Sequence, residues 1–155
     1  MHTRLGNMIR EMQDRDMEAV LAIEAQSFSS HWTHQQMVYE LHENTFAFLY
    51  VYEEDGIVLG YIDYWITFDT CQLASIAVSE EARRKGIARL LMDDMMKAAE
   101  AKYCSVISLE VRVSNEPAKA LYQRYGFVEA SIRKNYYSDN HEDAILMVKG
   151  LGGEW

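Results

Sequence analysis

The stretch that most constrains this chain runs from Ile76 to Leu91, IAVSEEARRKGIARLL. A β-branched run, Ile76 and Val78 around Ala77, stops at a polar turn. Three cations follow (Arg83, Arg84, Lys85), then Gly86, then a long amphipathic helix that begins with Ile87, Ala88 and Arg89. Strand, basic glycine turn and helix N-terminus together make an anion site out of backbone. The first N–H groups of a helix have no partner within it, and the helix dipole favours negative charge there. Gly86 lets the backbone approach a ligand closely. Arg83, Arg84 and Lys85 add mobile positive charge at the mouth. The ligand that fits is a phosphate, above all a pyrophosphate. A solvent-facing connection would carry the same residues, so the turn alone leaves both readings open. Neither G-x-x-x-x-G-K-[ST] nor G-x-G-x-x-G is present, which removes the two commonest nucleotide loops.

The remainder of the chain sets bounds. Its 155 residues, 49% of them hydrophobic, suit one domain spanning 1–155 with a core over about 8–149. No apolar run is long enough for a membrane helix, and Met1 to Asp16 is too polar for a signal peptide. Cys71 and Cys104 stand alone, so neither a disulfide framework nor a zinc knuckle is expected, and a cytoplasmic setting follows. A net charge of −9 disfavours nucleic acid and suits a cationic partner such as an amine or a basic peptide. His31 and His34 share metal-ligand spacing but lack a third ligand, and the acidic run from Asp139 to Asp143 reads as an exposed turn; no metal is expected.

Periodicity orders the elements. Residues 1–7 form a ragged start before a short strand, and Asp14 can cap a helix reaching Ser27. Glu24 falls on that helix's apolar face, either near a site or at the edge of the stripe. Phe28 to Thr33 is a loop, and Thr33 with Gln36 makes a capping box for a second helix. Two strands flank the turn at Glu54-Asp55-Gly56, and a third leads into Val78. After the helix from Gly86 to Lys102, the strand from Ser105 to Val113 alternates Ile107, Leu109 and Val111 with Ser108, Glu110 and Arg112. Ser114 or Asn115 caps a further helix that Gly126 ends. Two last strands, 127–133 and 144–149, bracket a polar loop. The order is β-α-α-β-β-β-α-β-α-β-β, an α/β (α+β) arrangement with a mixed sheet and one parallel crossover between 72 and 111.

The signature R-x-x-G-x-A, Arg83 through Gly86 to Ala88, directly after I-A-V, resembles the acetyl-coenzyme A loop of the GNAT (Gcn5-related N-acetyltransferase) superfamily, whose element order is the same. That resemblance implies a mixed sheet of about seven strands flanked by about four helices. Four further stretches resemble the bacterial ribosomal-protein alanine N-acetyltransferases, the RimI type. They are S-F-x-x-x-W (Ser27, Phe28, Trp32), L-E-V-R-x-S-N (Leu109 to Asn115), A-x-x-L-Y-x-x-x-G-F (Ala118 to Phe127), and R-K-N-Y-Y with E-D-A (Arg133 to Tyr137, Glu142 to Ala144). The implied reaction is acetylation of the α-amine of a protein N-terminus, that of an alanine-initiated small-subunit ribosomal protein, with acetyl-CoA as cosubstrate. By this resemblance Glu110 is the general base, Tyr122 the general acid and Asn115 a coenzyme contact. Ile76 and Val78 hold the pantetheine arm, with the Val78 N–H near the thioester oxygen. Ala77, Ala118 and Tyr122 also border the coenzyme, and Glu24, Phe28, Trp32, Tyr136 and Tyr137 border the acceptor. The chain departs from the family at His31, where proline is common, and at Ser75, where asparagine is common; both border the acceptor site.

The chemistry agrees with an α-amine. With a reference pKa near 7.7–8.0, roughly a tenth of it is neutral at pH 7, against well under one part in a thousand of a lysine side chain near 10.4. A weak base then suffices, though Glu110 would need burial or a bridging water. Tyr122 can reprotonate a thiolate only if well placed. As isolated residues, Glu110 also fits the polar face of a strand and Tyr122 a helix packed on a sheet, while Tyr136 and Tyr137 fit a hairpin. The acid excess, including Glu24, Asp139, Glu142 and Asp143, either attracts a cationic N-terminus or solvates the surface. A small-molecule amine or a lysine side chain remains an alternative acceptor, and a non-catalytic acyl-coenzyme A sensor is the third possibility.

Overall fold

The computed structural model describes residues 7–29 and 31–152. Of the ragged start expected over 1–7, residues 1–6 lie outside them, as does Ser30 of the first loop, and Asn7 already belongs to a strand. The elements in order are β1 (Asn7–Glu11), α1 (Met17–Ser27), α2 (His34–His42), β2 (Ala47–Glu54), β3 (Ile57–Thr67), β4 (Thr70–Val78), α3 (Ile87–Ala101), β5 (Val106–Arg112), α4 (Glu116–Arg124), β6 (Val128–Arg133) and β7 (Ala144–Gly150). Short 3-10 turns at Asp14–Asp16 and Glu80–Ala82 join them. The expected order holds, with ends shifted by one or two residues.

The strands form one sheet, β1-β2-β3-β4-β5-β7-β6, in which only β4 and β5 run parallel. β2, β3 and β4 follow one another through short turns, which makes those neighbours antiparallel, while β1 reaches β2 by way of α1 and α2. The single parallel pair needs a crossover, and α3 supplies it. Two cores result, one on each face. Val20, Ile23, Met37, Leu49, Val51, Tyr61 and Ala77 pack under α1 and α2. Ile62, Leu91, Met92, Met95, Ile107, Leu109, Phe127 and Met147 pack under α3 and α4. Gly60 is what lets α3 lie close: a Cβ there would stand 3.2 Å from the Ala77 carbonyl oxygen and 3.2 Å from Ile87.

The entry to α1 differs from expectation. Asp16, not Asp14, secures it, accepting the Gln13 N–H at 2.8 Å and two bonds from the Arg10 guanidinium at 2.8 and 2.9 Å. Arg10 also bonds Glu53, so β1, β2 and the start of α1 share one ion cluster. Asp14 instead faces His42 on α2. The sequence offers two aspartates two residues apart, and only the path of β1 decides between them. The Thr33–Gln36 box forms as expected: Thr33 Oγ1 accepts from Gln36 N at 3.1 Å, and Gln36 returns an acceptor to Thr33 N at 2.8 Å. Asn115 caps α4 through Oδ1 to Ala118 N, 3.2 Å. Among the described residues no helix is long and apolar enough to cross a membrane.

Candidate active site

The site arises where the sheet opens. β4 and β5 are registered only at Thr70–Val106, Cys71–Ile107 and Gln72–Ser108, after which the ladder stops. From Leu73 and from Leu109 the two strands diverge, leaving a wedge with unpaired backbone on each side. The ladder to β3 fixes which β4 groups face it. Ser79 N donates to Leu59 O at 2.8 Å, and Gly60 lies opposite Val78. Antiparallel pairs alternate, so Val78 and Ile76 form the non-bonded pairs and turn their N–H and C=O groups away from β3, into the wedge. Ala77 does the reverse: its backbone pairs with Tyr61 and its side chain joins the core under α1.

The basic turn lies beyond the end of β4. Gly86 is the N-cap of α3 with φ +81, and Arg84 is also left-handed at φ 69. A Cβ at Gly86 would meet nothing within 4 Å, so the space before the helix is open. Among the described residues no side chain caps the helix, which leaves its first N–H groups available to an anion. Arg84, Lys85 and Arg89 are exposed, Ala88 is partly buried, and Ile87 serves the core. Arg83 is not the mobile cation expected. Its guanidinium donates to the Val78 carbonyl at 3.1 Å and to Ser27 Oγ at 3.2 Å, tying the end of β4 to the end of α1. Free valence at the Val78 carbonyl made that tether available.

A pocket of about 220 Å³ fills the wedge. Glu110, Tyr122, Asn115 and Ala118 line one side; Ile76, Glu24, Phe28 and Trp32 line another; Tyr137 closes the rim. Tyr122 is buried and packs edge-on against Phe127 at 5.9 Å, so its packing role and its place in the pocket coexist. Burial, then the neighbouring Tyr137, raises its pKa and keeps the phenol protonated. Glu110 is held by Arg133 at 2.6 Å and by the Tyr136 hydroxyl at 3.2 Å. Tyr136 thus reaches the site by holding Glu110 and is absent from the pocket lining, and Arg133 is a partner that sequence reasoning passed over.

Glu24 is no edge residue. It is 2% exposed. The Tyr61 hydroxyl donates to Oε1, Ser75 Oγ lies 3.3 Å from the same oxygen, and the Trp32 N–H donates to Oε2 at 3.1 Å. Tyr61 and Ser75 are themselves 2.7 Å apart. No cation pairs with Glu24 among the described residues, and burial raises its pKa against the pull of those donors. Ser75, one of the two departures noted in the sequence, is part of this cluster.

The loop after β6 is tied down. Arg112 donates to Asp139 at 2.9 Å and to Glu142 at 3.3 Å, and its guanidinium lies 3.9 Å from the centre of the Tyr137 ring. Asp139 also accepts from Ser29 at 2.7 Å, joining this loop to the one after α1. Both carboxylates have their pKa lowered, Asp139 first by Ser29 and Glu142 first by Ser114. They are spoken for by Arg112 and are not spare charge for an incoming amine. Among the described residues no group of three metal-ligating side chains occurs.

An open parallel pair, a basic left-handed turn at a helix start and a pocket carrying carboxylate and phenol can be compared with known proteins. The model of the acetyltransferase (GNAT) family matches residues 17–127. The chain belongs to the GNAT family. It is an acetyl-CoA-dependent N-acetyltransferase. A Bacillus subtilis (strain 168) protein, named as a candidate ribosomal protein bS18-alanine N-acetyltransferase, is 42% identical over 139 residues, covering 90% of this chain and 92% of its own length. The Escherichia coli (strain K12) ribosomal protein bS18-alanine N-acetyltransferase is 32% identical, covering 91% and 95%. Among solved structures, the Escherichia coli ribosomal-protein-S18-alanine N-acetyltransferase superposes with TM-score 0.85 at 30% identity, over 96% of this chain and 97% of that one. Ard1 from Thermoplasma volcanium gives 0.88 at 29%, over 96% and 99%. In this GNAT chain the seven-stranded mixed sheet and four helices are those expected of the fold.

Proposed function

We propose that this enzyme acetylates the N-terminal α-amine of a protein, an alanine-initiated ribosomal protein in the cytoplasm, with Glu110 as base and Tyr122 as acid. The observation that carries the reading is convergence. Glu110 from β5, Tyr122 and Asn115 from α4, and Ile76 from β4 meet in one pocket at the strand split, next to an open helix N-terminus. The relatives named for acetylating ribosomal protein bS18 support the acceptor class.

The cosubstrate supplies the acetyl group as an activated thioester. The residues fit such a molecule. The open space at Gly86, the uncapped start of α3 and the exposed Arg84 and Lys85 suit a pyrophosphate. The outward amide of Val78 is a donor for an oxygen that gains charge during attack. Asn115 spends its carbonyl on the α4 cap, and its NH₂, unpartnered among the described residues, is available where the residue lines the pocket. Glu110 takes the proton from the attacking amine, and Tyr122, protonated through burial, gives one to the departing sulfur.

One observation favours a second assignment of the base within the same reaction. Glu24 lines the same pocket, forms no ion pair among the described residues and has a raised pKa, whereas Glu110 is paired with Arg133. A carboxylate made more basic by burial is better matched to an amine proton.

The acceptor class is tested by thiol release from acetyl-CoA with an alanine-initiated basic peptide, the same peptide N-terminally blocked but bearing lysine, and spermidine. Turnover with the free N-terminus alone is expected. Turnover with the blocked peptide or spermidine would replace this acceptor with a lysine side chain or a small amine.

A further inference from the structure

A second cavity lies beside the first, between α2 and β3. It is a groove of about 590 Å³ walled by Trp32, Tyr39 and Trp65, with Glu40 at its floor. Trp32 lines both cavities, so the two are neighbours across that one side chain. Glu40 is 7% exposed, and its two oxygens accept from Trp65 Nε1 at 2.6 Å and Asn44 Nδ2 at 3.0 Å. Both donors are neutral, and Glu40 takes part in no ion pair among the described residues. Its negative charge is therefore oriented but not cancelled.

Behind it stands a second buried carboxyl. Asp63 on β3 is fully buried, and neither of its oxygens has a hydrogen-bond partner among the described residues. Burial first, then the neighbouring Glu40, pushes its pKa up to about 10. Asp63 therefore keeps its proton in the folded chain and adds no second charge behind Glu40. An anion fixed among three aromatic rings attracts cations in two ways. The carboxylate pairs with them, and the ring faces add cation–π attraction that grows when water is displaced. Tyr39 is 52% exposed, an open wall rather than a core residue.

We propose that this groove is a subsite for a basic side chain, arginine or lysine, of the acceptor peptide, within a few residues of its N-terminal amine. The inference rests on the reading that the acceptor is a peptide N-terminus. A peptide whose amine enters the strand split past Trp32 leaves by the same tryptophan, and an extended chain puts its next side chains within about 3.3–3.6 Å per residue of that wall. A small amine would end before reaching it.

The experiment uses alanine-initiated peptides carrying one arginine at position two, three or four, each paired with its citrulline counterpart, which keeps the shape and removes the charge. At one position the arginine peptide is expected to have a KM roughly tenfold below that of its partner. In Glu40→Gln and in Tyr39→Ala that ratio should fall to within about twofold. If burial of Glu40 prevents the first variant from folding, the exposed Tyr39 position decides alone. Turnover with equal KM for arginine and citrulline at all three positions overturns the subsite and leaves N-terminal acetylation standing. A preference that survives in both variants overturns it also, since the protein's overall negative charge would then be the cause. No turnover with any free N-terminus removes the acceptor reading, and the subsite with it.

Discussion

Two carboxylates share one pocket and differ in their company. Glu110 meets Arg133 and Tyr136, while Glu24 meets Tyr61, Ser75 and the Trp32 amide. Glu110→Gln is expected to lower kcat about a hundredfold or more while acetyl-CoA affinity is kept. Glu24→Gln is expected to act mainly on KM for the peptide. A pH profile of kcat/KM separates the two. If Glu24 is the base, its raised pKa displaces the acid limb upward, and Glu24→Gln abolishes that limb along with kcat. If Glu110→Gln turns over at the parent rate, the base is not Glu110. Glu110, Tyr122 and Asn115 were singled out by the family resemblance of one short stretch of strand, cap and helix, and the three line one pocket. The environment of Glu24 was not legible in the sequence. Helical spacing put it on the apolar face, but its partners Tyr61 and Ser75 come from 37 and 51 residues away.

The split of β4 from β5 and the turn at the start of α3 are the elements that make the site. The turn could be read directly, since a glycine after three cations between strand and helix has a local cause. Its detail could not: a 3-10 turn at Glu80–Ala82 precedes it, and Arg83 folds back on Val78. The split was invisible too, because alternation along β5 is identical whether or not a ladder continues beside it. Gly86→Asp is expected to act here first. At φ +81 a side chain is strained, and a carboxylate would stand where the helix start invites an anion. Acetyl-CoA binding measured by calorimetry should weaken by tenfold or more, with a smaller effect on kcat at saturation. Loss of kcat with binding intact would remove the anion role from this turn.

Across the molecule, charge is uneven in what it does. The 24 aspartates and glutamates outnumber the 15 lysines and arginines, and several of the acids are paired locally, as at Arg10 with Asp16 and at Arg112 with Asp139 and Glu142. Asp16, its pKa lowered first by Arg10, contributes stability above the ordinary carboxylate range that is lost as pH falls through its folded value. Asp63 acts in the opposite sense. With a folded pKa of about 10 against an unfolded value near 3.9, the native state keeps a proton that the unfolded chain has released. Between those values the unfolded state binds fewer protons, so stability falls as pH rises. Whatever Asp63 contributes is complete below the unfolded pKa and is gone above the folded one. Asparagine in its place cannot titrate and stays neutral at every pH. Asp63→Asn is therefore expected to stabilise the protein by about 1–3 kcal/mol at pH 8 to 9 and to flatten the decline of Tm between pH 6 and 9. Thermal melts across that range measure both. Parallel Tm curves for the parent and the variant would mean that Asp63 is ionised in the folded protein, and that Glu40 shares its site with a second charge.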